Sequence, residues 1–397
     1  MTSSVSAPTV DMIVAVHDLR RSIRRAVGSV LSDRDPSIRV LVVAHNLPAA
    51  DVAAALGDLV AAHPGRVRIE ELNDGIPSPS GPFNFGMAVS DADYVGIMGS
   101  DDELDPDAIA QWRRRAERFR ADAVVAKVVR GEQRTLVRSP PKRVWRTGVL
   151  DFVRDRLSYR SAPLGLMRRE AVARLGLELL AGARNGGDLP FVTRLWLRGR
   201  VVADHGTAAY IVHDDAPERV TLVAKPVAEE LAPVRQLLDS ELVHGMTVAQ
   251  REALTTKILR RNVMDSLRKR DGGRRLTADD VDTLRELLRT IRRLAPRATA
   301  LVSPLHRGIF DELEGADPDL GRVAQLDEEI ARMRSLAALL PADARHLLHS
   351  QGQPRFVVAS ALIKIGASRY FSYARGAAIA SVVAVAAVVA SRLLPRR

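Results

Sequence analysis

The 397 residues of the chain carry 59 Lys and Arg against 48 Asp and Glu, a formal net charge of +11, and 46% of them are hydrophobic. This apolar content suffices for a sizeable core in one large or two smaller domains, so disorder cannot describe the whole chain. The absence of cysteine excludes disulfides, thiolate zinc sites and thiol catalysis. The excess of arginine suits acidic partners such as diphosphates, anionic lipid or nucleic acid, although a general compositional bias toward Ala, Arg and Val explains it equally well.

Before residue 225, short apolar and β-branched runs alternate with segments of helical spacing. The predicted strands are residues 10–16, 38–44, 66–72, 94–98, 123–129, 164–168, 200–203 and 208–212. The predicted helices are residues 19–31, 51–62, 148–157 and 169–175, with a further helix after residues 186–188. Residues 73–84, rich in Gly, Pro, Asn and Ser, predict a loop that approaches a ligand. This alternation predicts an α/β fold with a mainly parallel, mixed sheet, in which ligands bind beyond the carboxyl ends of the strands.

From residue 226 to about residue 349 the pattern is long, charged and helical, with leucines three and four residues apart. The pattern is interrupted where Gly or Pro residues occur. We therefore predict three parts, which are an α/β domain at residues 1–224, an α-helical region at 225–355 and a membrane-associated tail at 356–397.

The tail contains an uncharged run at residues 376–391, with Arg375 before it and three arginines after it. As a helix the run spans about 24 Å, against about 30 Å for a hydrocarbon core, so it predicts a hydrophobic C-terminal helix that crosses the membrane only if the flanking residues contribute. A buried or interfacial helix is the alternative, with residues 356–373 lying flat on the membrane surface. Residues 1–7 have neither a basic nor an apolar stretch, so we expect no secretory signal and a catalytic part at the cytoplasmic face of the membrane.

An acidic cluster follows the predicted strand 94–98, and it contains Asp101, Asp102 and Glu103. Adjacent carboxylates in a loop after a buried strand suit a divalent cation that must keep positions free for two phosphates. Alternatively, Asp101 and Asp102 cap the helix that follows them.

The order of these features resembles the family 2 glycosyltransferases, nucleotide-sugar enzymes with the Rossmann-like GT-A fold. The matching residues are the opening strand 10–16, Asn73 with Gly75, Asn84 with Gly86, and Asp101-Asp102-Glu103-Leu104-Asp105-Pro106. Two later matches are 165–170 with Leu175-Gly176, and Gly187-Asp188 with Phe191, Arg194-Leu195 and Gly199. Together these matches lie within residues 10–220 or so of the chain.

This resemblance implies that Asp102, with Asp101 beside it, coordinates Mg²⁺ or Mn²⁺ on the diphosphate of a nucleotide-diphospho-sugar or contacts its ribose. It also implies that Asp188 is the general base that deprotonates the acceptor hydroxyl, so that attack from the opposite face inverts the anomeric carbon. His213 would complete the metal shell. The residues expected around the donor are Val16, His17, Asn73, Gly75, Asn84 and Asp101. Two structural alternatives stay open, since Asp188 is also a candidate N-cap and His213 a candidate structural histidine.

Two positions depart from the family pattern. Relatives usually end their second strand in an acidic pair that holds uracil and ribose, whereas this chain has Ala44-His45-Asn46. Gly99 stands where the first Asp of the common Asp-x-Asp-Asp motif is expected. These departures put the identity of the nucleotide, and catalysis itself, in question.

The resulting prediction is an inverting, metal-dependent glycosyltransferase that acts on a polyprenol-linked or cell-envelope glycan acceptor at the membrane. The alternative is a catalytically inactive scaffold of the same fold that recruits envelope-assembly partners through the helical region. We expect no nucleic-acid partner, because the chain has only 8 Phe, 3 Trp and 5 Tyr and its Arg-rich helices lack interleaved aromatics.

Overall fold

The computed structural model describes residues 9–215, 225–332 and 335–366 of the chain. The predicted hydrophobic helix at residues 376–391 lies outside these ranges. Within them, every helix is too short or insufficiently apolar to cross a membrane.

Eleven strands form two sheets within the first described range. In chain order they are β1 (Val10–Val16), β2 (Ile38–His45), β3 (Val67–Leu72), β4 (Tyr94–Gly99), β5 (Glu103–Leu104), β6 (Ala123–Val125), β7 (Val128–Arg130), β8 (Thr135–Leu136), β9 (Gly165–Arg168), β10 (Val201–Ala203) and β11 (Tyr210–Val212). The large sheet has the order β10-β6-β9-β4-β1-β2-β3 and the small sheet the order β5-β11-β7-β8. In the large sheet only β9 runs antiparallel to its neighbours, which confirms the mainly parallel mixed sheet.

Helices cover both faces of the large sheet. They are α1 (Ile23–Leu31), α2 (Ala49–Leu56), α3 (Asp58–Ala62), α4 (Ser80–Val89), α5 (Ala108–Phe119), α6 (Arg169–Arg174) and α7 (Asp188–Arg198). Successive side chains of a strand point to opposite faces, so Met12 and Val14 pack into one core with α1 and α5, and Ile13 packs into the other with α4 and α7. Burial on both faces explains why β1, β2 and β4 are almost continuously apolar.

The helical region follows at residue 227 and confirms the helical pattern seen in the sequence. Its helices are α8 (Val227–Glu230), α9 (Ala232–Leu238), α10 (Glu241–His244), α11 (Val248–Lys257), a π-helix (Ile258–Val263), α12 (Met264–Arg268), α13 (Ala278–Leu294), α14 (Ala298–Leu301), α15 (Pro304–Glu314), α16 (Leu320–Arg332), α17 (Leu336–Leu339) and α18 (Gln353–Gly366). The core that begins at Ile13 continues through α7 into these helices as far as Ala338. The helical region therefore shares a core with the α/β domain.

The helix predicted at residues 148–157 is wrong. Asp151 accepts hydrogen bonds from the backbone N–H groups of Val153 and Arg154, and Asp155 accepts one from the N–H of Asp151. These side-chain acceptors take the amides that a helix would need, so the segment forms turns that end in a short 3₁₀-helix at Leu157–Tyr159.

Three other predicted boundaries differ from the structure. The predicted strand 123–129 is divided into β6 and β7, which belong to different sheets. The predicted helix 51–62 breaks at Gly57, whose positive φ of 56° separates α2 from α3. The predicted loop 73–84 ends early because α4 begins at Ser80, which puts Asn84 on a helix.

Candidate active site

The carboxyl ends of β1, β2, β3 and β4 meet at one edge of the large sheet, because these four strands are parallel. Val16 is the buried last residue of β1 and pairs with Ala44 of β2. His17, Asn46, Asn73 and Asp101 follow their strands at this edge. The structure therefore brings most of the predicted donor-site residues together, as expected for an α/β sheet.

Asp102 is held by the small sheet. The antiparallel pairing of β5 with β11 brings Tyr210 to Asp102, and the Tyr210 hydroxyl donates to Asp102 Oδ2 at 2.6 Å. The backbone N–H of His213 donates to the other carboxylate oxygen at 3.3 Å. Burial raises the pKa of Asp102 to about 6, although the Tyr210 hydrogen bond lowers it. The structure therefore does not use Asp102 to cap α5, whose N-cap position is Asp107.

Asp101 faces a different neighbour. Its Oδ1 accepts from Arg21 Nη1 at 3.0 Å, and its backbone carbonyl accepts from Arg25. Arg25 in turn pairs with Asp215 at 2.7 Å. Two arginines, one just before α1 and one in its first turn, therefore fix the acidic loop and offset part of its negative charge.

The ring of His213 contacts Glu103 instead of Asp102. His213 Nε2 lies 2.8 Å from Glu103 Oε2, while the backbone N–H of His213 donates to Asp102. In the described ranges, no three His, Asp or Glu side chains converge as a metal-binding group. The predicted metal role of His213 thus has no direct geometric counterpart here, although its ring lies beside the acidic cluster.

The oxygens of Asp102 still fit a divalent cation. Each accepts one hydrogen bond and keeps a further lone pair, and carboxylate oxygen is the donor that Mg²⁺ or Mn²⁺ prefers. Mg²⁺ usually takes only one or two carboxylates and fills its remaining positions with substrate phosphates and water. One protein carboxylate at this edge therefore suits an ion that is shared with a diphosphate.

A carboxylate that the sequence did not suggest lies beside the second strand end. Asp74 Oδ1 is 2.8 Å from His45 Nε2, and the N–H of Ile76 donates to the same oxygen at 2.9 Å. The hydrogen bonds from Ile76 and His45 hold the pKa of Asp74 below its usual range. Asn46 Oδ1 accepts from the N–H of Gly75 at 2.9 Å. The loop after β3 thus places a carboxylate beside the end of β2.

The remaining predicted donor residues are placed as follows. Burial, with the Arg21 cation nearby, lowers the pKa of His17. The exposed Asn73 donates from Nδ2 to Glu71 at 2.6 Å. Asn84 donates to the carbonyl of Leu179 at 2.8 Å and accepts from its N–H at 2.9 Å, so this amide braces the loop before α7.

Asp188 is the first residue of α7, and Gly187 occupies the N-cap position. The carboxylate therefore does not cap the helix. Burial raises the pKa of Asp188 to about 6, against the lowering effect of the Lys257 cation. Asp188 as a whole residue is only half-buried. A desolvated carboxyl group with remaining access to solvent is the arrangement that a general base needs.

Contacts with the loop after β3 locate Asp188 relative to the edge of the large sheet where the carboxyl ends of its strands meet. Ser78 Oγ donates to the carbonyl of Ala183 at 2.6 Å. A Cβ added at Gly187 would lie 2.6 Å from Ser80 Oγ, so the two backbones approach closely. Ser80 begins α4 directly after the β3 loop, so Asp188 lies at the carboxyl edge of the sheet, as Asp102 does.

Comparisons with known proteins agree with this geometry. The family model of glycosyl transferase family 2 matches residues 11–176, from β1 to the end of α6. No curated protein has a sequence that matches this chain.

Solved structures of S. aureus TarS are similar in fold. Residues 1–349 of TarS align with a TM-score of 0.63 and 14% identity over 83% of this chain and 93% of that chain. The same TarS fragment in complex with UDP-GlcNAc aligns with a TM-score of 0.66, again at 14% identity and over 83% and 93% of the two chains. A longer TarS structure aligns over 81% of this chain and 55% of that chain, with a TM-score of 0.61 and 14% identity. These similarities establish a GT-A fold and extend past the family match into the helical region.

Proposed function

We propose that this glycosyltransferase, whose residues 11–176 match glycosyl transferase family 2, inverts the anomeric configuration of the sugar that it transfers and depends on a divalent metal. The donor is a nucleotide-diphospho-sugar, and the acceptor is a hydroxyl group of a cell-envelope or lipid-linked glycan. The observation that carries the proposal is the pair of desolvated carboxylates at one edge of the sheet, Asp102 after β4 and Asp188 at the start of α7.

Asp102 is the protein ligand of the metal. The Tyr210 hydroxyl and the His213 N–H orient its two oxygens, and buried orientation of this kind fixes a ligand before the substrate arrives. A bound Mg²⁺ or Mn²⁺ supplies positive charge that offsets the charge on the departing nucleoside diphosphate.

Asp188 accepts the proton of the acceptor hydroxyl. As that oxygen attacks the anomeric carbon, the bond to the diphosphate breaks on the opposite face, so the configuration inverts and the proton remains on Asp188 Oδ. With a pKa of about 6, the carboxyl is mostly ionised at neutral pH and still basic enough to take the proton.

We propose a uridine diphospho-sugar as the donor. The support is that similar TarS structures were determined with UDP-GlcNAc and with UDP. The cluster of His17, His45, Asn46 and Asp74 beyond β1 and β2 supplies polar groups for the nucleoside.

We also propose that the enzyme works at the cytoplasmic face of the membrane, where a polyprenol-linked or nascent envelope glycan is accessible. The uncharged run at residues 376–391 and the net charge of +11 support this location, because both favour contact with an anionic bilayer.

The experiment is a donor screen by release of nucleoside diphosphate, with Mn²⁺, Mg²⁺ or EDTA, for the wild type and for Asp102→Asn and Asp188→Asn. Loss of a general base lowers kcat by roughly 10²- to 10⁴-fold, so we expect a loss of this size in Asp188→Asn. Asp102→Asn should abolish the response to metal. Asp279→Asn, an exposed change in the first turn of α13, is the matched control and should retain full activity.

Retained transfer in both folded variants would refute the assignment of the two carboxylates. If the wild type binds no nucleotide sugar in calorimetry with Mn²⁺ present, the alternative of an inactive scaffold is favoured instead. Gly99 and the pairing of Asp101 with Arg21 are the features that make this alternative worth testing.

A further inference from the structure

The positive charge of the chain is concentrated at its C-terminal end. From residue 344 to residue 397 the sequence contains no Asp or Glu. The same stretch contains eight basic residues, which are Arg345, Arg355, Lys364, Arg369, Arg375, Arg392, Arg396 and Arg397. A stretch of one charge sign attracts a surface of the opposite sign. This end of the chain is therefore suited to contact with an anionic partner.

The helix α18 lies within this stretch, and it is apolar on all sides. Residues 356–363 of α18 read FVVASALI, with Ser360 as the only polar residue. Of these eight residues, only Ala359 is buried. A helix that is apolar all round belongs either in a protein core or in a membrane. Because α18 is not enclosed in the core, it has more apolar surface than the described part of the chain covers.

Leu348 extends this apolar surface beyond the helix. It lies between α17 and α18 and is 75% exposed. Exposed Arg345 and Arg355 stand on either side of it in the sequence. Arg345 pairs with Asp343 at 2.7 Å, but an ion pair this exposed is weak and leaves the cation available. Apolar residues combined with arginines are typical of a segment that lies at a membrane interface.

The first turn of α18 is held against the α/β domain. Buried Arg260 donates to Gln353 Oε1 at 3.0 Å, and its guanidinium group lies 4.7 Å from the centroid of the Phe356 ring. The rings of Phe356 and Tyr159 pack with their centroids 4.9 Å apart. The 3₁₀-helix that contains Tyr159 also contacts α7, the helix that begins at Asp188. A partner that binds α18 therefore also orients the catalytic part of the chain.

An anionic bilayer fits this surface better than a second copy of the chain does. A second copy would bring its own acid-free stretch against this one, so that like charges would meet without a compensating carboxylate. Anionic headgroups supply the missing negative charge, and each Lys or Arg near them strengthens binding by about fivefold. The uncharged run at residues 376–391 follows α18 along the chain and favours the same surroundings.

We propose that α18 and Leu348 form a membrane-contact surface that lies in the headgroup region of an anionic bilayer. The apolar side chains of α18 enter the boundary between headgroups and acyl chains, while the basic side chains stay at the level of the phosphates. Because the first turn of α18 is held by Arg260, the contact fixes the orientation of the enzyme as well as its location. The inference rests on the proposed location of the enzyme at a membrane.

Site-specific fluorescence tests this surface, because the chain has no cysteine of its own. Full-length Leu348→Cys and Ala361→Cys, both at exposed positions, are labelled with NBD and mixed with vesicles of phosphatidylcholine and phosphatidylglycerol. We expect the emission of both labels to shift to the blue and to be quenched by lipids with a doxyl group just below the headgroup. Ala54→Cys is the matched control, an exposed alanine on α2, which packs on the edge strand β3. Its label should stay unquenched.

A pair of charge substitutions tests the basic side chains of α18. Two cations at an anionic surface contribute about 25-fold in binding, so Arg355→Gln with Lys364→Gln should weaken binding of labelled Ala361→Cys by about that factor. Binding to pure phosphatidylcholine should not change. Arg114→Gln with Arg118→Gln, two exposed arginines of α5, is the control pair and should bind like the parent protein. No loss in the first pair, or an equal loss in the control pair, overturns the inference.

Three further results would overturn the inference, and each identifies a different failure. If the chain binds vesicles while the labels at positions 348 and 361 stay unquenched, another part of the chain makes the contact. If both labels are shifted to the blue without lipid and light scattering gives a dimer, a second copy covers the surface. If the chain binds no vesicles, the proposed membrane location fails as well. Release of nucleoside diphosphate tests the transferase activity independently of all three.

Discussion

The Tyr210 hydroxyl orients Asp102, and the substitution Tyr210→Phe removes this hydroxyl oxygen alone. The hydroxyl donates to Asp102 Oδ2 at 2.6 Å and accepts from the N–H of Gly99 at 3.1 Å. The ring is fully buried and would remain in place. A hydrogen bond to a charged group contributes about 1.5–3 kcal/mol and an unsatisfied buried donor costs about 1–3 kcal/mol. Because Gly99 is only half-buried, we expect a total loss of about 2–4 kcal/mol in the free energy of unfolding.

The same substitution should weaken donor binding in a pH-dependent way. The Tyr210 hydrogen bond lowers the pKa of Asp102, so its loss raises that pKa further and leaves less carboxylate to hold a cation. Binding of UDP with Mn²⁺, measured by calorimetry, should therefore weaken more at pH 6 than at pH 8. Urea unfolding measures the stability.

Tyr94→Phe is the matched control for this prediction. Tyr94 is equally buried, and its hydroxyl accepts from Arg168 at 2.6 Å, near the start of β4 rather than its carboxyl end. The control should lose stability but keep wild-type UDP affinity at every pH. If Tyr210→Phe and Tyr94→Phe behave alike in binding, the hydroxyl does not prepare Asp102 and the reasoning fails.

Two further predictions concern catalysis and stability. Since burial raises the pKa of Asp188 to about 6, the proposed base is protonated and inactive in acid, and kcat/KM should rise about tenfold from pH 5 to pH 7; a flat profile in rate assays would contradict this. Buried Arg260 donates to Gln353 Oε1 at 3.0 Å and to Tyr159 Oη at 3.1 Å, so Arg260→Met should cost about 3 kcal/mol in urea unfolding. The exposed Arg307→Met should cost less than about 0.5 kcal/mol, and equal losses would show that Arg260 does not join α18 to the fold.

The sequence predicted the strands and helices whose buried residues form a recognisable apolar pattern along the chain. β1, β2 and β4 are apolar on both faces, so their runs of Val, Ile and Met are visible without any tertiary information. The acidic cluster after β4 and the loop before α7 were located because strand ends and glycine pairs are local signals. The proposed site residues that lie on such local signals, Asp102 and Asp188, are the ones that the sequence suggested.

The contacts that orient the site residues and shift their pKa values were not predictable, because they join distant parts of the chain. Tyr210 is 108 residues from Asp102, and nothing in its short apolar strand marks it as polar in function. Asp74 lies in a loop rich in polar residues, and its pairing with His45 depends on the parallel register of β2 and β3. The failed helix at residues 148–157 has the same cause, since its amides bond to side chains that the helical pattern ignores.

The two carboxylates show how one fold can give similar groups different tasks. Burial raises the pKa of each to about 6, but the opposing influences differ in kind. Asp102 is opposed by neutral donors, Tyr210 and a backbone N–H, which orient its oxygens and leave net negative charge for a cation. The charge of Lys257 lowers the pKa of Asp188, and none of the hydrogen bonds between described residues engages its carboxylate oxygens, so these can accept a proton from an acceptor. Environments that differ in this way support our proposal of metal binding for the first carboxylate and proton transfer for the second.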